Sequence, residues 1–371
     1  HQSSLWGLSR TIAREHPEWH CTLLDGDPSS EGAVGAEAIL DEVDAGGRED
    51  QVAWRRGQRY VARLVPAAAA AHDRGPLAKD GTYLVTGGLG GAGFVVAEWL
   101  ASRGAGHVAL VNRSAPSPAM IARIEALQAQ HGVRVHLCRA DVADRSALAA
   151  ALDRLGTRAP AVRGVVHAAG VLADGVLQEQ DWPRFERVLS PKAYGGWNLH
   201  ELSGSMALDF FVMFSSFTGI AGSAGQANYA AANAFLDGLA QHRRARGLVG
   251  TSIAWGPWET GMLATLDAVH RERWKRQGLS SFDPERACAA LEMALSLARK
   301  SGARLVLLGR SQPVSDAELA ANLERIGASG VRCRYFAADV TDAEAVRAAM
   351  AEAQREFGPV TAFLHAAGTN V

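Results

Sequence analysis

Between residues 82 and 255 the sequence alternates between short apolar runs and longer amphipathic stretches. The runs share the length and composition of buried strands: TYLVT (82–86), HVALV (107–111), VRVHLC (133–138), VRGVVHAA (162–169), LDFFVMFSS (208–216) and GTSIAW (250–255). The stretches between them predict helices, at 91–104, 118–131, 144–155, 181–203 and 226–246. Since parallel strands need helical crossovers, the alternation predicts an α/β fold with a doubly wound parallel sheet.

A glycine-rich loop follows the first of these strands. TGGLGGAG, residues 86–93, stands between TYLVT and the first predicted helix. Glycines in this position allow a tight turn and let backbone N–H groups approach a pyrophosphate at the helix N-terminus. The loop therefore predicts a Rossmann-type dinucleotide site, with contacts from Thr86, Gly87, Gly88, Leu89, Gly90, Gly91 and Gly93.

Three other strand ends belong to the same predicted site, because open α/β sheets bind ligands at the carboxyl ends of their strands. Arg113 stands where an NAD site often has a carboxylate, and its guanidinium favours the 2′-phosphate of NADPH; a solvated loop arginine is the alternative. Asp141 is expected at the adenine edge, and His167 as a packed or loop residue rather than a catalyst. The predicted cofactor residues here are Asn112, Arg113, Ser114, Asp141, Val142, His167, Ala168, Ala169 and Gly170.

The candidate chemistry lies between residues 192 and 233. Ser216 ends an apolar strand at the ligand edge, and Tyr229 and Asn233 share a face of the next helix because they are four residues apart. Only four of the 38 basic residues are lysine, and Lys192 is the only lysine between residues 80 and 274. Hydroxyl and ionisable groups beside a nicotinamide predict proton-coupled hydride transfer.

With these residues the chain resembles the ketoreductase domain of modular type I polyketide synthases, in the short-chain dehydrogenase/reductase superfamily. Ordinary members of the superfamily carry Tyr-x-x-x-Lys, whereas the fourth residue after Tyr229 is Asn233. In the polyketide ketoreductases the lysine comes from the preceding helix, and Lys192 lies 24 residues before Ser216. The resemblance covers residues 1–290 and includes HAAGVLADGVL, PKAYGGWNL and SIAWGPWETGM.

The resemblance implies NADPH-dependent reduction of a β-ketoacyl thioester, held on the phosphopantetheine of an acyl carrier protein within a larger synthase. Tyr229 would act as general acid, Lys192 would lower the pKa of its phenol, and Ser216 would hydrogen-bond the carbonyl oxygen. Asn233 would position Lys192 or a water.

The resemblance also bears on the configuration of the product. Leu172 and Asp174 stand in the stereocontrol motif, with one acid of the family's Leu-Asp-Asp pattern kept, and Ala221 replaces the tryptophan of the opposite type. A D-hydroxyl, B-type product is therefore expected.

Three segments are predicted along the chain. Residues 1–75, with a helix over 1–22, the strand CTLLD, a Gly/Ser/Glu-rich loop and a hairpin at 51–65, form the back part of a truncated Rossmann-like structural subdomain. Residues 76–290 form the catalytic domain. Residues 291–371 form a partial second Rossmann unit, because ARLVLLGRS, FAADVTDAEAV and VTAFLHAAG repeat earlier phrases at offsets of 197 or 198 residues.

The second copy is incomplete. FDPERACAAL stands where the first copy has its glycine loop, and no catalytic set follows. Three explanations stay open: the segment begins another reductase, the sequence lacks residues near 290–300, or the segment complements the opening block. In each case it is expected neither to bind NADPH well nor to reduce a substrate.

Composition narrows the function classes. A net charge of −1 gives no electrostatic reason to expect a nucleic-acid or membrane partner. The four cysteines lack the spacing of a zinc site or disulfide framework, so a reducing cytoplasm is expected.

Two alternatives to the polyketide ketoreductase function remain at this point: a non-reducing structural module of a megasynthase, and a stand-alone reductase of sugars or steroids.

Overall fold

The computed structural model describes residues 2–26, 33–44, 49–63 and 77–256, two short strands after them, and eight single positions (258, 284, 288, 344, 348, 349, 352 and 355). The chain divides into two compact units, each made of two separated segments. One unit combines His1–Leu23 with Arg74–Leu295, and the other combines Leu24–Asp73 with Ser296–Val371. The predicted division into consecutive segments at 75 and 290 stays a prediction.

The first unit contains a six-stranded parallel sheet, which confirms the predicted α/β class. In chain order its strands are β4 (Thr82–Thr86), β5 (His107–Asn112), β6 (Arg134–Arg139), β7 (Val162–His167), β8 (Phe210–Ser216) and β9 (Thr251–Trp255). They lie in the order β6-β5-β4-β7-β8-β9, and every neighbouring pair is parallel. The order reverses between β4 and β7, and this is the position at which doubly wound sheets bind dinucleotides.

Helices cover both faces of this sheet. The helices that connect its strands are α3 (Gly91–Ser102), α4 (Pro118–His131), α5 (Arg145–Gly156), α6 (Trp182–Leu189), α7 (Gly195–Leu202), α8 (Phe217–Ala221) and α9 (Ala227–Ala245). Alternate strand residues point to opposite faces, so Tyr83 and Val85 enter one apolar cluster with Phe94, whereas Leu84 enters a second cluster with Leu236. Both clusters are buried, as a parallel sheet covered on two sides requires.

The long helix predicted at 181–203 is interrupted. A π-helical turn at Ser190–Tyr194 separates α6 from α7 and contains Lys192. A π turn inserts one residue into a helix and is often found at functional sites. The interruption therefore changes the direction in which the side chains of one continuous helical run point, at the position of the candidate lysine.

The opening segment contains α1 (Ser3–Glu15), β1 (Leu23–Asp25), α2 (Ala33–Asp44), β2 (Gln51–Arg55) and β3 (Gln58–Val61). The predicted hairpin is confirmed, since β2 and β3 pair antiparallel around Arg56 and Gly57. The loop predicted after β1 is wrong in part, because α2 lies there. Among the described helices, none combines the length and the apolar character that crossing a bilayer requires.

Two parallel strands represent the tail in the described part of the chain. They are β10 (Leu305–Gly309), which lies within the repeated phrase ARLVLLGRS, and β11 (Cys333–Ala337), which ends on the first two residues of FAADVTDAEAV. The third repeated phrase, VTAFLHAAG, lies outside the described residues. The two strands pair in parallel, and the partial Rossmann unit predicted at 291–371 stays a prediction.

Candidate active site

The glycine loop joins β4 to α3 in a shape that excludes side chains. Gly87 has a φ of +68°, and its N–H donates to the Val111 carbonyl at 3.0 Å. A Cβ atom at Gly93 would overlap the carbonyl oxygen of Gly87. The loop backbone and the first turn of α3 therefore touch, as a pyrophosphate cradle at a helix N-terminus requires.

Asn112, at the end of β5, holds this loop from the side. Its Oδ1 accepts a hydrogen bond of 2.9 Å from the Leu89 N–H. Arg113 and Ser114, which follow it, are exposed. The Arg113 side chain is 64% exposed, and its Nη1 lies 3.8 Å from Oδ2 of Asp141. The structure thus brings together the strand-end residues predicted for the adenosine end of a cofactor.

Lys192 lies buried beside Tyr229. Its side chain is 3% exposed, its Nζ donates to the Phe214 carbonyl at 2.8 Å, and it lies 5.1 Å from the centre of the Tyr229 ring. Burial lowers the pKa of the Lys192 ammonium to about 7. Tyr229 is partly exposed as a residue, but desolvation of its phenol raises the pKa to about 12. Hydrogen bonds from Asn233 and Ser216 act in the opposite direction and lower that pKa. At neutral pH the phenol therefore holds its proton, and burial raises its pKa where Lys192 was expected to lower it.

Ser216 and Asn233 complete the set predicted for catalysis. Ser216 ends β8, and its Oγ accepts bonds from the N–H and the hydroxyl of Thr218. Asn233 is fully buried and donates from Nδ2 to the Tyr229 carbonyl at 2.7 Å. Its Oδ1 is buried and has no hydrogen-bond partner among the described residues. An unsatisfied buried acceptor next to the phenol suits a water or substrate group as its donor.

His167 has a role that its sequence position did not reveal. It is fully buried, its Nδ1 lies 2.7 Å from the Thr86 hydroxyl, and its Nε2 lies 3.0 Å from the Lys192 carbonyl. Burial lowers the pKa of His167 to about 4, so the ring is neutral and Nε2 must donate to that carbonyl. His167 therefore links the ends of β4 and β7 to the π turn, and only its backbone remains for a cofactor contact.

The remaining predicted residues lie near these groups. Val142 is buried, whereas Leu172, Ala168, Ala169 and Gly170 are partly buried. A Cβ atom at Gly170 would lie 2.9 Å from the Lys192 Cε atom, so a glycine there admits the lysine side chain. Asp174 is exposed, and its Oδ2 accepts a bond of 3.1 Å from Gln226. The roles assigned to these residues stay predictions.

Comparison with known proteins identifies the family. A family model described as the KR domain matches residues 81–260 and 289–370. Polyketide synthase GfsA of Streptomyces halstedii is 41% identical over 301 residues, and pikromycin polyketide synthase component PikAIII of Streptomyces venezuelae is 38% identical over 299. Each alignment covers 80% of this chain but only 4% and 19% of the relative, respectively.

Similar solved structures indicate the same family. An A-type ketoreductase from a modular polyketide synthase superposes with a TM-score of 0.73 at 42% identity, covering 80% of this chain and 62% of the other. The ketoreductase from the first module of phoslactomycin biosynthesis in Streptomyces sp. HK803 gives 0.72 at 36% identity, covering 81% and 68%. By sequence and by fold, this chain therefore belongs to the KR domain family, the nicotinamide-dependent ketoreductases of modular polyketide synthases.

Proposed function

We propose that the chain reduces a β-ketoacyl thioester, carried on the phosphopantetheine of an acyl carrier protein, to the β-hydroxyacyl thioester with NADPH. The observation that carries the proposal is the placement of buried Lys192 beside the Tyr229 ring, at the carboxyl edge of the sheet and next to Ser216. Its proposed partners are the other domains of a synthase, because the related polyketide synthase GfsA is many times longer than this chain.

The residues fit a nicotinamide dinucleotide. The Gly87–Gly93 backbone forms a cradle that a Cβ atom would fill, and Arg113 is exposed at the adjacent strand end. The bound dinucleotide would supply the hydride. Thr86, the glycine loop and the residues following β5, β6 and β7 would hold it.

The protein's own groups handle the proton and the developing charge. Ser216 keeps its hydroxyl proton to donate, because its two bonds to Thr218 are accepted ones, so it orients the substrate carbonyl and stabilises charge on its oxygen. Tyr229, protonated at neutral pH, gives its proton to that oxygen. Lys192 then stabilises the phenolate. The negative charge of the phenolate in turn favours the protonated form of Lys192, which burial disfavours.

Cofactor choice is tested at Arg113. Arg113→Gln should raise KM for NADPH by roughly ten-fold, the effect of losing a hydrogen bond to a charged group, and leave KM for NADH nearly unchanged. The pair with Asp141 is exposed and therefore weak, so the change should leave the thermal midpoint unaltered. Arg158→Gln, another exposed arginine, is the matched control. Equal changes in both KM values would contradict a 2′-phosphate contact.

The configuration of the product tests the activity and its stereochemistry together. With NADPH and a synthetic β-ketoacyl thioester, the chain should oxidise NADPH and form mainly the D-hydroxyl product, as kept Asp174 and Ala221 suggest. Chiral chromatography measures the ratio. Mainly L-hydroxyl product would reverse the stereochemical proposal, and NADPH oxidation no faster than in a Tyr229→Phe control would favour the non-reducing structural module.

A further inference from the structure

Helix α1 lies directly against the catalytic helix α9. A Cβ atom at Gly7 would overlap the carbonyl oxygen of Ala230, one residue after Tyr229, and a Cβ atom at Gly238 would lie 2.5 Å from the Ser3 hydroxyl. Gly7 thus permits contact between the two backbones, and Gly238 leaves room for the Ser3 side chain. Residues 1–23 also belong to the same compact unit as the sheet. Helix α1 is therefore a fixed part of the catalytic unit.

The last residue of α1 bonds two loops at once. One oxygen of Glu15 accepts the Leu177 N–H at 2.7 Å, and the other accepts the Gly225 N–H at 2.8 Å. A carboxylate at a helix C-terminus is normally disfavoured, because the helix dipole is negative there. Two charge-assisted hydrogen bonds to backbone amides offset that penalty. Contacts outside the helix therefore stabilise the Glu15 carboxylate at a position where the helix itself disfavours it.

Each of the two loops carries residues of the candidate site. The loop at 171–177 contains Asp174, and the loop at 222–226 ends three residues before Tyr229. They also contact each other, since the Gly175 N–H donates to the Gly225 carbonyl at 2.9 Å, and Asn228 in the first turn of α9 donates to the Ala173 carbonyl at 2.8 Å. Glu15 accepts from both loops beside this contact.

Two basic residues of α1 donate hydrogen bonds to the short helix α8. Arg10 donates to the Gly219 carbonyl, and Arg14 donates to the Ala221 carbonyl at 3.1 Å. Both partners lie in α8, directly after Ser216. The carboxylate of Glu15 reaches both the Asp174 loop and the loop before α9.

We propose that Glu15 is a positioning residue for the reduction: it fixes the Asp174 loop against the start of the catalytic helix and so sets the face of the carbonyl that is presented to the cofactor. The inference rests on the proposed function. It differs from a merely structural role because it concerns the relative placement of two loops, which decides the ratio of the two hydroxyl products.

The test compares Glu15→Ala and Glu15→Gln with Glu18→Ala in the full chain. Glu18 lies three residues later, is exposed, and pairs only locally with His16, so it controls for loss of an acid in this region. Glu15→Ala should lower kcat about ten-fold, since hydrogen bonds to a charged group are lost, and raise the fraction of the minor hydroxyl product. Glu15→Gln keeps one acceptor oxygen and should fall between wild type and Glu15→Ala. NADPH affinity should not change.

Amide hydrogen exchange gives a readout that needs no substrate. Exchange at Gly225 and Leu177 should accelerate in Glu15→Ala and stay at the wild-type rate in Glu18→Ala. A folded Glu15→Ala variant with wild-type kcat, product ratio and exchange would overturn the proposal. Should that variant fail to fold, Glu15→Gln decides by the same measurements. A wild-type chain without turnover would instead refute the proposed function, and the exchange rates would still show whether Glu15 holds the two loops.

Discussion

Tyr229→Phe should lower kcat by about 10²- to 10⁴-fold, the range expected when a general acid is removed. The change deletes one oxygen atom and keeps the ring that lies 5.1 Å from the Lys192 ammonium. Burial raises the pKa of Tyr229 to about 12, so wild-type enzyme is fully protonated there at neutral pH and has a proton to give. Without it, charge on the substrate oxygen is neutralised only by water.

The measurement is steady-state NADPH oxidation with a β-ketoacyl thioester, together with NADPH affinity from fluorescence titration. Affinity should stay at the wild-type value, because the phenol is expected to act on the substrate oxygen. Tyr194→Phe is the matched control, since Tyr194 lies on the π turn two residues after Lys192 and is 40% exposed. If Tyr229→Phe retained a third or more of wild-type kcat, another group would have to be the acid.

Gly93→Ala should lower kcat/KM for NADPH by about 100-fold, the effect of moving a binding backbone by roughly 1 Å. The new Cβ atom would overlap the Gly87 carbonyl oxygen and lie 2.8 Å from its carbon. Relief requires the loop to move, because both clashing atoms belong to its backbone. Alanine is otherwise the better helix former, so α3 itself has no reason to unfold.

Gly156→Ala serves as the control for this substitution. Gly156 ends α5, and a Cβ atom there would meet nothing within 4 Å. It should keep wild-type NADPH affinity and a thermal midpoint equal to or above that of wild type. Steady-state kinetics of both variants measure kcat/KM for NADPH, fluorescence titration measures NADPH affinity, and thermal melting measures the midpoint. NADPH affinity in Gly93→Ala equal to that of Gly156→Ala would mean that the cofactor does not depend on this loop.

The sheet and the glycine loop could be predicted because their signals are local. Each strand of the six is a continuous apolar run, and parallel pairing follows from the helical stretches between runs. The joint spacing of Lys192, Ser216 and Tyr229 likewise identified a set that the fold places near one sheet edge. Helix α2 was missed because the glycines and serines preceding it obscured an ordinary helix-forming sequence.

Other features depend on partners far away in the sequence. Glu15 bonds backbone amides 162 and 210 residues later, and no local pattern reports such contacts. The π turn at Ser190–Tyr194 depends on what α6 and α7 pack against. The burial of His167 between Thr86 and the Lys192 carbonyl also arises from the assembled sheet, so its sequence position gave only its strand end.

Lys192 also sets a limit on engineering this domain. Its ammonium group is buried and its pKa is lowered to about 7, so the fold is less stable when the group is charged than when it is neutral. An apolar side chain of similar length would avoid that desolvation. Selection for heat resistance alone would therefore favour loss of the lysine and enrich stable, inactive variants. A thermostability screen of this domain needs a turnover assay at every round.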